Sequence, residues 1–195
     1  PHARRTPSRR RPYPHMAEPA RAGLISVVGG ESTGKSTLAA GLGARLPGTV
    51  VSEGLRNWVD RHGRVPRATE QAAVMDAHRR AERSALLRAD QTGQPWVISD
   101  SGPLMTAVYS IQYYEDDSLL PLALEWTAQS DRVVWCQDDF PWQPDPQRDG
   151  PLARTGSQRI LAAIFADHPG LPVLAVHGPL KARIDTVLAA VSYRV

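Results

Sequence analysis

The chain carries a short segment whose residue types suit phosphate binding. Residues 27–37 read VVGGESTGKST, in which Gly29, Gly34, Lys35 and Ser36 fit the pattern G-x-x-x-x-G-K-[ST]. The glycines allow the backbone to curve so tightly that several N–H groups can point at one anion. The N-terminus of a following helix adds the positive end of its dipole. The sequence therefore predicts a grip for the phosphates of a nucleotide.

The residues of this loop predict the contacts that a bound nucleotide would make. The Lys35 ammonium is expected to reach the β- and γ-phosphates of ATP, and the Ser36 hydroxyl is expected to bind Mg²⁺. The alternative is a chance match in a turn rich in glycine and serine, but an apolar run precedes the loop and a helical pattern follows it. We assign nucleotide binding to the whole loop, which comprises Gly30, Glu31, Ser32, Thr33, Gly34, Lys35, Ser36 and Thr37.

A carboxylate closes a second apolar run, in the segment WVISD. The carboxyl ends of parallel strands are where α/β sheets bind their ligands. Asp100 is therefore predicted to hold Mg²⁺ through water or to accept a proton from the substrate. The alternative is that Asp100 caps the helix that begins near Pro103. Ser101 and Thr106 are weaker candidates, and Thr106 is assigned to substrate binding.

A second acidic residue follows another short apolar run, in the segment VVSEGLRNWV. Glu53 is predicted to bind a substrate hydroxyl or to act as the general base, and Arg56 to orient Glu53 or a phosphate. The alternative is a surface ion pair between residues three positions apart, which contributes only a few tenths of a kcal/mol. Whether Glu53 or Asp100 is the base stays open.

A long segment rich in proline, aspartate and arginine, residues 140–157, is predicted to be a loop. Small-molecule kinases use such a lid to exclude water and to bring arginines to the transferring phosphoryl group. Arg148 is assigned to catalysis, Arg154 to nucleotide binding and Asp145 to the substrate. A solvated charged loop is the alternative.

Apolar runs and helical patterns alternate along the chain. This alternation predicts an α/β fold of the P-loop NTPase type, with three layers, a mostly parallel five-stranded sheet and a nucleoside-kinase-like lid. His78 lies in the middle of a helix, where histidine is more often structural or solvated, and it is not assigned to the site. The predicted strands are 22–30, 48–54, 95–102, 131–139 and 171–178. The predicted helices are 35–46, 68–90, 103–114, 118–130, 158–168 and 180–193.

The composition narrows the class of protein. The 195 residues are 42% hydrophobic and 22% charged, with one cysteine, and no apolar run approaches the roughly 18 residues of a membrane span. Residues 1–15 hold five arginines, and removing their charge from the net +3 leaves −2 for the rest. We therefore expect a disordered basic tail over 1–15, a P-loop kinase domain over 16–195, no nucleic-acid partner, no membrane contact and a cytoplasmic location. The oligomeric state stays open.

Four ordered blocks carry a family resemblance: GGESTGKSTLA, SEGLRNWV, VISDSGPLMTAVY and DDFPWQPDPQRDGP. Together they resemble the NadR-type ribosylnicotinamide kinase domain, which is also grouped with AAA-like ATPases. The resemblance covers about residues 23–190. It implies Lys35 and Ser36 for ATP and Mg²⁺, Glu53, Arg56 and Asp100 for the nucleoside and the metal, and Arg148 as the lid arginine.

The resemblance implies a reaction, namely transfer of the ATP γ-phosphoryl group to the 5′-hydroxyl of nicotinamide riboside. Two positions depart from the family pattern, because Gly102 stands where many members have an acidic residue and Pro146 stands where the lid has glycine. The H-x-G-H signature of the adenylyltransferase domain found in bifunctional members does not occur in the sequence. We therefore expect a kinase-type domain that stands alone.

Two other functions remain as alternatives. The first is an NTP-binding switch or ATPase that acts through a protein partner, although no base-reading N-K-x-D motif is present. The second is a nucleic-acid-binding ATPase that uses the basic tail, which the net charge of the remaining chain disfavours.

Overall fold

The structure is a computed structural model that describes residues 21–139, 141 and 151–191. Within these ranges five strands alternate with helices, as the sequence predicts. The strands are β1 (Gly23–Val28), β2 (Gly48–Val51), β3 (Trp96–Asp100), β4 (Arg132–Cys136) and β5 (Val173–Val176). The helices are α1 (Lys35–Gly43), α2 (Gly54–His62), α3 (Gln71–Thr92), α4 (Gly102–Tyr114), α5 (Leu120–Thr127), α6 (Pro151–Asp167) and α7 (Leu180–Val191), with a 3₁₀ turn over Ala68–Glu70.

The five strands form one sheet in the order β2-β3-β1-β4-β5, and every neighbouring pair is parallel. This confirms the predicted five-stranded α/β fold. The chain leaves β1 toward β2 on one side and later crosses to β4 on the other side. The order of connection therefore reverses at β1, which is the position where open α/β sheets bind ligands at the carboxyl ends of their strands.

Helices cover both faces of the sheet, which gives the predicted three layers. On one face α1 and α7 pack against alternate side chains of the central strands, such as Ile25 and Ile98. On the other face α3, α4, α5 and α6 cover the residues between them, such as Val28 and Val97. Both faces of β1 and β3 are buried, which explains their continuous apolar runs.

Helix α2 is a correction to the sequence prediction, which ends the second strand at residue 54 and has no helix between that strand and residue 68. In the structure β2 ends at Val51 and α2 spans Gly54–His62. The signal was present, because Leu55, Trp58 and Val59 repeat at helical spacing. Gly63 then ends the helix with a φ of 66°, in the left-handed region that favours glycine.

Helix α6 is a second correction, because it begins at Pro151 within the predicted loop 140–157. Proline suits the first position of a helix, where its missing N–H has no intrahelical partner. Tertiary contacts hold this first part against α4, where the Gln112 side chain donates to the Ala153 carbonyl at 3.1 Å and accepts from the Ser157 hydroxyl at 2.5 Å. Of the rest of the predicted loop the structure describes only Pro141, and Arg148 and Asp145 lie outside the described residues.

No helix among the described residues is long and apolar enough to cross a membrane.

Candidate active site

The loop after β1 has the backbone of a phosphate grip. Gly34, just before α1, has a φ of 80° and Ser32 has a φ of 57°, so the chain turns through the left-handed region twice. The Gly30 carbonyl accepts hydrogen bonds from the Thr33 hydroxyl at 2.8 Å and from the Lys35 ammonium at 3.0 Å. These two hydrogen bonds fold the loop back on its own first residues, and the Lys35 side chain is buried there.

The residues that follow Lys35 differ in exposure. Ser36 is half-buried and Thr37 is exposed at the start of α1. A hydroxyl at the first turn of α1 is therefore accessible beside the Lys35 ammonium, as binding of a metal by Ser36 requires. The roles of these side chains toward a nucleotide stay predictions.

Gln158 of α6 ties the loop to the end of β4. Its Oε1 atom accepts from the Gly30 N–H at 3.2 Å and from the Trp135 indole at 2.9 Å. Its Nε2 atom donates to the Cys136 carbonyl at 3.0 Å. One buried side chain thereby fixes the start of the loop against the neighbouring strand.

Arg183 of α7 holds the other end of the loop. It is 2% exposed. It donates to the Thr33 carbonyl at 2.8 Å and to the Gln137 carbonyl at 3.0 Å, and it contacts the Asp139 carboxylate. The guanidinium fork therefore links the phosphate loop to the segment after β4. No local sequence signal identifies Arg183 or Gln158, because the phosphate-loop residues that they contact, Thr33 and Gly30, are more than a hundred positions away.

Asp100 lies where the sequence predicts it, at the carboxyl end of β3 beside Val27 of β1. Strand alternation puts Asp100 on the same face as Trp96 and Ile98, which is the face that α1 covers. Its carboxylate is buried and accepts a long hydrogen bond from the Ser101 hydroxyl at 3.3 Å. Asp100 is not the cap of α4, because Ser101 occupies that position.

Glu53 is the N-cap residue just before α2, and its side chain is 13% exposed. The Arg56 guanidinium lies 3.8 Å from its carboxylate, but the Arg56 side chain is 58% exposed. An exposed pair at this distance contributes little. The alternative ion pair is thus present, and it leaves the Glu53 carboxylate at the rim of a pocket rather than locked in a salt bridge.

A small pocket opens at this edge of the sheet, between α2, α3 and the start of α4. It brings Glu53 together with two other predicted residues, Ser101 and Thr106. Its lining comprises Glu53, Gly54, Leu55, His78, Ser101, Met105, Thr106 and Tyr109. These polar groups gather in a narrow pocket of about 170 Å³ at the carboxyl ends of β2 and β3. The phosphate loop follows β1 in the same parallel sheet, so we take this pocket as the candidate binding site for a phosphate acceptor.

Tyr109 is a pocket residue that the sequence reasoning missed. Burial raises the pKa of its phenol well above the usual value, and the negative charges of Glu53, Glu31 and Asp100 raise it further. The Tyr109 phenol therefore keeps its proton at neutral pH. The available signal was helical spacing, because Tyr109 follows Thr106 by three positions and Met105 by four on α4.

Arg154 needs a correction, because it stands on α6 and not on a loop. Its buried guanidinium contacts the Asp138 carbonyl and lies 3.6 Å from the Asp138 carboxylate. Its backbone carbonyl lies against Gly30, where a Cβ atom would come within 2.6 Å of that oxygen. Arg154 therefore adjoins the phosphate loop, and its assignment to nucleotide binding stays a prediction, as do the roles of Arg148 and Asp145.

Within the described ranges, no three side chains of His, Cys, Asp or Glu gather in a way that could hold a metal ion. The metal ligands that the sequence predicts are Ser36 and Asp100, one hydroxyl and one carboxylate. Cys136 is buried, and burial raises the pKa of its thiol to about 11. The thiol is therefore protonated at neutral pH and lacks the thiolate that nucleophilic attack or metal binding needs.

A family model described as "AAA domain" matches residues 24–183, which is most of the chain. The chain belongs to this AAA domain family. The matched range includes the phosphate loop, Asp100 and Arg183. No sequence among curated proteins matches the chain.

Solved structures share the fold of this AAA domain. A NadR protein in complex with NAD and AMP-PNP has a TM-score of 0.70 at 18% identity, over 89% of this chain and 51% of that chain. A NadR protein in complex with NR has a TM-score of 0.70 at 19% identity, over 89% and 52%. The chain thus spans about half the length of the NadR chains that it matches.

Two smaller proteins align over nearly their whole length. Deoxyadenosine kinase from M. mycoides has a TM-score of 0.58 at 13% identity, over 87% of this chain and 98% of that chain. Thymidylate kinase from Ehrlichia chaffeensis has a TM-score of 0.61 at 14% identity, over 87% and 98%. At these identities the likeness concerns the fold, which is that of P-loop nucleoside and nucleotide kinases.

Proposed function

We propose that the chain is an ATP- and Mg²⁺-dependent kinase that phosphorylates the 5′-hydroxyl of a nucleoside, and that this nucleoside is nicotinamide riboside. The observation that carries the proposal is the gathering of polar groups in a pocket at the sheet edge where β1, which leads into the phosphate loop, also ends. Glu53, Ser101, Thr106 and Tyr109 line it, and Asp100 lies next to it at the end of β3.

The residues of the loop fit the phosphates of ATP. Gly30 has no Cβ atom, and one would come within 2.6 Å of the Arg154 carbonyl, so only glycine fits the close approach of backbone there. Lys35 would neutralise charge on the β- and γ-phosphates. Ser36 and Asp100 would hold Mg²⁺, with its remaining ligands from phosphate oxygens and water. Bound Mg²⁺ supplies charge neutralisation between the two phosphates.

The chemistry at the pocket is a phosphoryl transfer in which a carboxylate receives a proton. The acceptor oxygen forms a bond to the γ-phosphorus while the bond from that phosphorus to the bridging oxygen breaks, and ADP leaves with the electron pair. The acceptor proton passes to a carboxylate, either Glu53 or Asp100. The Tyr109 hydroxyl keeps its own proton, because burial and the surrounding carboxylates raise its pKa, and it can donate a hydrogen bond to the acceptor.

The choice of nicotinamide riboside rests on likeness to a NadR protein in complex with NR and on the four sequence blocks. The deoxyadenosine and thymidylate kinases have the same fold, so other nucleosides and a nucleoside monophosphate belong in the same test. The proposed location of the reaction is the cytoplasm, and the proposed partner is the small-molecule acceptor alone.

The test is ADP release from the purified chain with Mg-ATP across a panel of acceptors headed by nicotinamide riboside. The proposal expects a rate that rises and saturates with nicotinamide riboside and a 5′-monophosphate product identified by mass spectrometry. Stimulation by a different nucleoside keeps the kinase and rejects the substrate. ATP binding with no stimulation by any acceptor rejects the kinase in favour of a switch.

Lys35→Ala tests the phosphate loop within the same assay. Removal of one preorganised charge is expected to lower kcat at least about 10²-fold. The matched control is Lys181→Ala, since Lys181 is the other lysine of the chain and pairs with Asp185 on the exposed face of α7. Turnover of Lys35→Ala near that of the control would reject the role assigned to Lys35.

A further inference from the structure

A buried histidine connects two segments of the candidate acceptor pocket. His78 of α3 is 4% exposed. Its Nδ1 atom accepts from the Gly54 N–H at 3.0 Å, and its Nε2 atom lies 2.7 Å from the Ser99 hydroxyl. A backbone N–H can only donate, so Nδ1 must be the acceptor and the proton must be on Nε2. The imidazole is therefore neutral, with a fixed tautomer and orientation.

The hydrogen bonds continue in one direction beyond Ser99. Its hydroxyl accepts from His78 and donates to the Glu82 carboxylate at 2.7 Å. Glu82 is fully buried, and its other oxygen accepts from Arg79 at 3.2 Å. Every member of this His78 chain, which comprises Gly54, His78, Ser99, Glu82 and Arg79, has its partner. A fully satisfied buried network of this kind is rigid.

Gly54 fits this contact by having no side chain. A Cβ atom there would lie 2.9 Å from Nδ1 and 3.0 Å from the Cβ atom of His78. Because Ser99 holds the ring from its far side, the ring cannot move away without losing a second hydrogen bond. The turn before α2 and the imidazole are therefore fitted to each other.

Two members of the His78 chain, Gly54 and Ser99, are direct neighbours of the two candidate carboxylates in the sequence. Gly54 follows Glu53 directly, and Ser99 directly precedes Asp100. Glu53 and Gly54 follow the end of β2, whereas Ser99 and Asp100 end β3. The ladder between β2 and β3 ends with Val51 beside Ser99. Beyond that point no strand pairing holds the turn, and the hydrogen bond from Gly54 to His78 takes over.

We propose that His78 is a positioning residue of the acceptor pocket, which holds the Glu53–Gly54 turn at a fixed place relative to the end of β3. The inference rests on the proposed function, since it takes the pocket as the place of the acceptor. The phosphate loop has its own supports in Gln158 of α6 and Arg183 of α7. Loss of the imidazole contact is therefore expected to act on the acceptor and not on ATP.

The test compares KM values for acceptor and ATP in His78 variants. His78→Phe keeps a ring but removes both hydrogen bonds. We expect the acceptor KM to rise about tenfold, which is the size of one lost hydrogen bond. The KM for ATP is expected to stay within about twofold of the parent value. His78→Asn is the conservative variant, because its Oδ1 atom can accept from Gly54, and it is expected to recover most of the loss. His168→Phe, at an exposed histidine past α6, is the matched control.

Two results would overturn the inference. One is an equal rise of both KM values in His78→Phe, which would indicate a general loss of structure. The other is an unchanged acceptor KM. Should His78→Phe fail to fold, Gly54→Ala crowds the same contact without removing the buried ring, and the same separation of KM values is expected for it. Gly170→Ala, with no atom within 4 Å of the added Cβ, is its control.

Amide exchange of the ligand-free chain separates this inference from the proposed function. If no acceptor stimulates ADP release, the proposed function fails. The exchange rate of the Gly54 amide still tests whether His78 holds the Glu53–Gly54 turn, because this measurement needs no acceptor. The inference expects the Gly54 amide to exchange about tenfold faster in His78→Phe than in the parent chain, for the loss of one hydrogen bond. Exchange of the Gly30 amide, held by Gln158, is expected to stay unchanged. Equal Gly54 exchange in both proteins would overturn the inference.

Discussion

The stability of the fold should depend on pH through the buried imidazole of His78. Burial lowers the pKa of His78 from 6.5 to about 4 in the folded chain. Between these values the unfolded chain binds more protons than the folded chain, so stability rises with pH there. The contribution of the neutral His78 imidazole to the free energy of unfolding is complete above about pH 6.5 and is lost as the pH falls toward 4. The whole difference of about 2.5 pKa units corresponds to about 3 kcal/mol.

The window from pH 7 to pH 5 isolates most of this effect. With the two pKa values above, His78 should lower the free energy of unfolding by about 2 kcal/mol over that window. Burial raises the pKa of Glu82, against the hydrogen bonds from Ser99 and Arg79, so Glu82 acts in the opposite direction as the pH falls. The Glu82 carboxylate lies 3.6 Å from Nε2 of His78, Arg79 pairs with Glu82, and Glu53 lines the same pocket as His78. All three charged groups remain in a His78 variant.

The assay is urea unfolding of the parent chain and His78→Asn at pH 7, 6 and 5. Asparagine does not titrate, so subtraction of the two pH dependences removes the contribution of Glu82 and of other groups common to both proteins. We expect the parent to lose about 2 kcal/mol more than the variant between pH 7 and pH 5. Parallel pH dependences would refute a neutral, buried His78 with a lowered pKa.

Two further substitutions test the supports of the phosphate loop. Arg183→Met leaves the Thr33 carbonyl without its 2.8 Å hydrogen bond, and we expect an ATP KM about tenfold higher with a loss of about 2 kcal/mol in urea unfolding. The control is Arg132→Met, at the amino end of β4, which removes a hydrogen bond to the Ala190 carbonyl of α7 and should lower stability but leave the ATP KM unchanged. If Arg132→Met raised the ATP KM as much as Arg183→Met does, the role of Arg183 would be contradicted. Gly30→Ala brings a Cβ atom within 2.6 Å of a backbone carbonyl, so a loss of about 1–3 kcal/mol together with weaker ATP binding by calorimetry is expected. A Gly30→Ala chain as stable as the parent would contradict the close packing at the loop.

The order of helices and strands was predictable wherever a local pattern carries it. The five strands follow from apolar runs, and the long helix α3 follows from its periodicity. The start of α6 could not be predicted, because residues 151–157 are rich in residues typical of loops. Hydrogen bonds with Gln112 of α4 hold this segment in its helical position. Helix α2 was missed although Leu55, Trp58 and Val59 carry its pattern, because the preceding strand was extended to Gly54.

The sequence by itself determined the phosphate loop. Gly34, Lys35 and Ser36 are contiguous, and the strand before and the helix after are local, so the motif contains its own geometry. It also determined that Asp100 ends a buried strand. Parallel pairing then puts that carboxylate at the same edge as the loop, since all carboxyl ends of a parallel sheet meet there.

Only the tertiary structure decided what surrounds that loop. The hydrogen-bonded residues Thr33 and Arg183 are 150 positions apart in the sequence, and Gly30 and Gln158 are 128 positions apart. The residues adjacent to each of them in the sequence do not indicate which distant residue they will contact. His78 is one of many polar residues on a helix until the sheet sets Ser99 and Gly54 against its two ring nitrogens. Residue type and spacing report on neighbours within a turn or a strand, whereas these contacts arise because the fold brings distant segments within hydrogen-bond range.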